Sequence, residues 1–195
     1  MKKIVLLFLF LISAQFYTAN AQTNFELEGV VVPRTIEFKS KELQLIGFGT
    51  RSKFWLDIYV QALYLSVLSQ DPKYILESDT KMAVRIQIIS SMVTSKKLSK
   101  ALNKGLIKSV GEDKIEAIRS QVDMLEKLIG SEITKEGDAF NLIYNPEDLS
   151  IWVYKNDKLE GKIPGFEFKK AFFGIWLSDN PVDEDLKKDL LGLGK

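Results

Sequence analysis

Hydrophobic and polar residues alternate most regularly between Phe54 and Leu65. Phe54, Leu56, Ile58, Val60, Ala62 and Tyr64 share one parity, and Trp55, Asp57, Tyr59, Gln61, Leu63 and Leu65 share the other. The first set is almost wholly apolar. The second places Asp57 and Gln61 among large side chains. This aromatic and branched segment predicts a long strand with one oily and one part-polar face. Such a strand suits a sheet that packs helices on one side and lines a cleft on the other.

Around it the pattern predicts the remaining elements in order. Gln22 to Glu28 reads as a loosely held lead-in. Val30–Val32 and Thr35–Phe38 read as a strand interrupted by Pro33, near an edge or a turn. Ser40–Glu42 reads as a turn and Leu43–Phe48 as a short strand, with Gly47 and Gly49 permitting a bulge or tight turn before Arg51. Asp71 caps a helix over Lys73–Ser78 with Pro72 at its first position, and Met82–Ile89 is a strand. Leu98, Ala101, Leu102 and Leu106 fall on one face of a helix capped by Thr94 or Ser95 and ended by Gly111. Asp113 and Glu116 have the spacing of a capping box for a second helix, with its stripe at Ile115, Ile118, Val122, Leu125 and Ile129. Ala139–Tyr144 and Leu149–Lys155 form a hairpin, followed by a short strand over Leu159–Ile163. A helix then gathers Phe168, Ala171, Phe172, Ile175 and Trp176 on one face, and Gly174 within it implies a close neighbour. Asn180–Asp183 caps a last helix with Leu186, Leu190 and Leu191 inward. Strands, two helices, a strand meander and two more helices predict an α+β fold, an antiparallel sheet with helices layered on one face.

Composition narrows the chemistry. Residues 1–21 read as a secretory signal peptide: Lys2 and Lys3, an apolar run from Ile4 to Ile12, and Ala19-Asn20-Ala21 before Gln22. That run is too short to span a bilayer, and residues 22–195 read as one domain of an exported protein, periplasmic or secreted. The chain has 195 residues, with no histidine and no cysteine. Disulfides, metal sites built on His or Cys, and Ser-His-Asp or Cys-His hydrolysis are excluded. With 27 basic and 26 acidic residues, nothing attracts nucleic acid in general. No metal or cofactor is expected, and the oligomeric state is left open. The arginines are Arg34, Arg51, Arg85 and Arg119.

Gly47-Phe48-Gly49-Thr50-Arg51, the strand ending at Tyr64-Leu65, and the run from Ala171 to Lys187 together resemble the chalcone isomerase-like superfamily, and more closely its exported bacterial branch. The resemblance implies an open-faced β-sandwich over the whole mature chain, with a ligand cleft between sheet and helices. In true chalcone isomerases an arginine holds a phenolate, helped by a threonine, a tyrosine and an asparagine. Arg51 matches the arginine. Tyr59 stands where the threonine belongs, a serine near Ser95 replaces the tyrosine, and Leu102 takes the asparagine position with Asn103 beside it. Ile175 falls at a further substrate-contact position. The isomerase set is mostly missing, which argues against flavonoid cyclisation.

The fatty-acid-binding relatives, which are non-catalytic, use an arginine and a tyrosine to clasp a carboxylate, and Asp57-Ile58-Tyr59 resembles the segment that carries that tyrosine. The resemblance therefore implies a small amphipathic carboxylate, such as a fatty acid, anchored by Arg51 and Tyr59, with Trp55 or Trp176 along its tail. Eight residues of straight strand span roughly 26 Å, so Arg51 and Tyr59 share a ligand only if the chain reverses near Ser52-Lys53. Two other readings stay open: an isomerase acting on a phenolic or enone substrate with Arg51 stabilising the anion, and a structural or partner-binding domain whose cleft is filled by its own side chains.

Overall fold

Among the described residues, nine strands and five α-helices follow the order in which the sequence alternates them. A computed structural model describes residues 24–194. The proposed signal peptide lies outside the described residues. β1 (Asn24–Leu27) and β2 (Val30–Pro33) pair as a separate antiparallel ribbon. β3 (Thr35–Phe38), β4 (Lys41–Lys53), β5 (Leu56–Leu65), β6 (Met82–Ile88), β7 (Ala139–Asn145), β8 (Ser150–Lys155) and β9 (Lys158–Pro164) form one antiparallel sheet in sequential order. The sheet curls, so that Phe38 on β3 meets Trp152 on β8 edge to face at 5.3 Å, although four strands lie between them.

The helices lie on one face. They are α1 (Pro72–Glu77), α2 (Ser95–Val110), α3 (Arg119–Ile129), α4 (Phe166–Leu177) and α5 (Glu184–Leu190). Asp71 accepts from Lys73 N at 3.0 Å and Thr94 from Lys97 N at 3.3 Å, capping α1 and α2 as their sequences require. Val122, Leu125 and Ile129 of α3 are buried, each contributing about 1.5–3 kcal/mol. α2 and α4 cross closely: a Cβ on Gly174 would overlap Ser109 Oγ, and one on Gly105 would press on Ile175. The main core therefore lies between this helical layer and Tyr59, Leu63, Val84, Ile86, Leu142 and Val153 of the sheet. A smaller core lies on the other face, where the β1–β2 ribbon covers Val60, Ala62, Tyr64 and Ala83.

Several elements differ from the sequence reading. The lead-in is partly ordered, because Asn24–Leu27 can pair with β2. The turn expected at Ser40–Glu42 sits one residue earlier: Lys39 and Ser40 take positive φ, and Lys41 and Glu42 already belong to β4. β4 is far longer than Leu43–Phe48 and runs through Arg51 to Lys53, with register shifts after Leu45 and after Arg51. Asp113 caps nothing. A short 3-10 turn (Ile115–Ile118) precedes α3, and Glu116 turns to Arg119 at 2.7 Å instead of reaching back. The faces of β5 are also reversed. Its part-polar face lies under the helices, and the oily face formed by Val60, Ala62 and Tyr64 looks away from them.

Candidate ligand-binding site

β4 and β5 reverse at Phe54-Trp55, where Phe54 takes φ +58° and Ser52 Oγ donates to Asp57 Oδ1 at 2.6 Å. The reversal that the eight-residue spacing demanded is therefore present, and it sets Arg51 directly opposite Tyr59. Opposed residues lie about 4.5–5.5 Å apart at Cα. Both side chains lie on the helix-covered face.

Neither group is bare. Arg51 Nη1 donates to Ser52 O at 2.7 Å and pairs with Asp183 Oδ2. Asp183 Oδ1 meanwhile caps α5, accepting from Asp185 N at 3.0 Å and Leu186 N at 3.1 Å. Trp176 Nε1 donates to Tyr59 Oη at 3.1 Å. Burial pushes the Tyr59 phenol up to about 12, against the opposing pull of the Trp176 N–H and the Arg51 charge, with Asp183 adding to the rise. Tyr59 is thus a neutral hydroxyl at any ordinary pH. It accepts from Trp176 and keeps its own proton to donate.

The glycines ahead of Arg51 serve the last helix. A Cβ on Gly47 would overlap the Asp189 carbonyl, and one on Gly49 would stand 2.6 Å from Asp189 Oδ2. α5 lies flush on β4 only because both side chains are missing. Asp189 has its carboxyl raised by burial, with Asp185 and Asp183 adding negative charge.

The other expected site residues separate. Trp176, Ile175 and Leu102 are buried in the layer above Tyr59, at 1%, 2% and 4% exposure, and fill the space there. Trp55 is at the hairpin turn, 93% exposed, with its ring 6.0 Å from that of Phe54. Asn103 faces α3 and donates to Glu126 Oε1 at 2.7 Å.

Two residues escaped the sequence reading. Asp183 was legible only as a helix cap, and its pairing with Arg51 spans 132 positions. Gln61 was visible as a lone amide among large residues. It is fully buried on the face of Tyr59, and neither its Oε1 nor its Nε2 has a hydrogen-bond partner. A buried amide without partners costs roughly 1–3 kcal/mol and marks a place where a polar group is missing. In register, Gln61 stands beside Gly49, over which Asp189 lies. Among the described residues no cluster of acidic side chains could hold a metal ion, and no helix is long and apolar enough to cross a membrane.

A family model described as chalcone isomerase-like matches residues 24–192. No curated protein matches the chain in sequence. Among solved structures it is similar to the Arabidopsis thaliana fatty-acid binding protein AtFAP1, with a TM-score of 0.68 at 17% identity, covering 86% of this chain and 95% of that one. At that identity the likeness concerns the fold.

Proposed function

The chain belongs to the chalcone isomerase-like family, and we propose that it is a non-catalytic binder of a small amphipathic carboxylate such as a fatty acid. One observation carries this reading. Tyr59 has a proton to donate and Gln61 has an entire amide without partners, two residues apart on the covered face beside Arg51. The ligand carboxylate would replace Asp183 on the Arg51 guanidinium, whose planar fork suits it, and Tyr59 would add a hydroxyl donor. The acyl chain would part the side chains of Trp176, Ile175 and Leu102 from the sheet, gaining about 0.8 kcal/mol per buried methylene.

Dodecanoate titration tests it. Arg51→Gln should weaken binding at least about tenfold, as loss of a charged hydrogen-bond partner requires. Asp183→Asn keeps a good helix cap but removes the internal competitor, so it should tighten binding. Absence of binding by the wild type, with no acyl chain in native mass spectra of purified protein, would overturn the reading. The close packing of Trp176, Ile175 and Leu102 favours a second reading, a domain whose cleft is permanently filled. Under it Asp183→Asn only lowers stability. The proposal includes export, supported by the run at residues 1–21. Amino-terminal sequencing of the mature protein should begin at Gln22.

A further inference from the structure

We propose that the sheet face turned away from the helices carries a second site, which takes a small organic monocarboxylate with an aromatic or short apolar body, anchored by Arg85. A groove of about 520 Å³ opens there between β3 and strands β6 to β8, a volume within the range of small-molecule sites. Ala62, Arg85, Asn141 and Tyr154 are successive register partners on β5, β6, β7 and β8, so they form one row across this face.

The Arg85 charge is not compensated. Its Nη1 donates to Asn141 Oδ1 at 3.2 Å and its Nη2 to Gln87 Oε1 at 3.3 Å. Both acceptors are neutral amides. Its Nε is buried with no acceptor at all. Among the described residues no carboxylate pairs with it, and each terminal nitrogen still holds one free N–H by the guanidinium inventory. A part-buried cation with no counter-charge, in a groove that a ligand can reach, is poised for an anion.

The rest of the groove selects the kind of anion. Ile36, Phe38 and Ile143 give it apolar walls, and Tyr154 stacks on Trp152 with ring centroids 6.5 Å apart and planes at 16°. Such walls take a flat or short hydrocarbon body. Exposed Glu37 and Asp157 sit on the rim. Lys39, also on the rim, is drawn to Glu147 at 3.4 Å. Arg85 supplies one positive charge for one carboxylate, and the two rim carboxylates disfavour phosphates and dicarboxylates.

Phenylacetate is the probe, titrated by calorimetry against the folded chain. Wild type should bind it at millimolar concentration or below, and Arg85→Gln should weaken binding at least about tenfold. Ile36→Trp fills the groove from an edge strand without touching Arg85, and should weaken binding to a similar degree, so a poorly folding Arg85 variant does not remove the test. Neutral benzyl alcohol and dianionic phenyl phosphate should bind at least tenfold more weakly than phenylacetate. Arg51→Gln should leave phenylacetate binding unchanged, just as Arg85→Gln should leave dodecanoate binding unchanged. No binding by the wild type, wild-type affinity in both groove variants, or loss through Arg51→Gln would each overturn the second site.

Discussion

Arg51 and Arg85 flank the same strand, one on β4 and one on β6, yet point to opposite faces of the sheet. On the covered face the protein supplies its own counter-charge: Asp183 pairs with Arg51, and Asp185 and Asp189 belong to the same helix. On the open face Arg85 has, among the described residues, only the neutral side chains of Asn141 and Gln87. The difference teaches that an arginine in a family motif is not by itself a free anion anchor. Its availability depends on what the rest of the fold brings to it. Long-range packing completes Arg51, whereas local register leaves Arg85 open.

The comparison breaks or sharpens under substitution, and the largest effect belongs to the covered face. Lys169 is fully buried on α4, and its Nζ donates to the carbonyls of Ile75, Leu76 and Ser78 at 3.0, 2.8 and 2.8 Å, satisfying the end of α1. Lys169→Met should cost about 3 kcal/mol or more in denaturant unfolding, because three carbonyls lose their donor. Burial also pushes this ammonium down to about 8 from 10.5. Between those values the unfolded chain holds the extra proton. The Lys169 contribution to stability, read as wild type minus Lys169→Met, should therefore rise with pH from about 8 to 10.5, while the raised tyrosines pull total stability down near pH 10.

Gly47→Ala, which must push α5 off the sheet, should cost about 1–3 kcal/mol in the same assay. Ile36→Trp, on the groove side, should stay within about 0.5 kcal/mol. Asp183→Ala removes both a cap and an ion pair and should cost about 1–2 kcal/mol, with Asp183→Asn recovering the cap share. The smallest effect is expected from Arg85→Leu, which removes an uncompensated charge and should be neutral or slightly stabilising. A large loss there would mean that Arg85 holds the sheet together, and the contrast between the two arginines would collapse.

Much of the fold was legible because its signals are local. The alternation of β5, the helical stripes at Leu98–Leu106 and Val122–Ile129, and the Asp71-Pro72 start of α1 all reflect neighbours within a few residues. The length of β4 was hidden because Gly47 and Gly49 look like turn residues; they are small because α5 lies on them. Parity put Trp55 on the face of Tyr59 and the resemblance put it along a ligand tail, but the hairpin turn breaks parity there. The reversed faces of β5 could not be read from either side alone, since Gln61 is polar yet buried and Tyr64 is oily yet donates to Pro33 O at 2.9 Å. The groove at Arg85 depends on strand register and on sheet curl, and neither has a sequence signature.

One carboxylate joins two layers here. Asp183 gives one oxygen to the start of α5 and the other to Arg51. Withdrawing the guanidinium would leave the helix capped and packed but remove a charged tie between its start and the sheet. Leu186, Leu190 and Leu191 stay buried in the main core, and α5 keeps the two-glycine floor, Lys187 on Ser178 O at 2.8 Å, and Gln70, whose Nε2 reaches Leu191 O at 2.9 Å. Amide hydrogen exchange in the stretch after Asp183 would therefore act as a built-in gauge of whether Arg51 is engaged with its own chain or with something else.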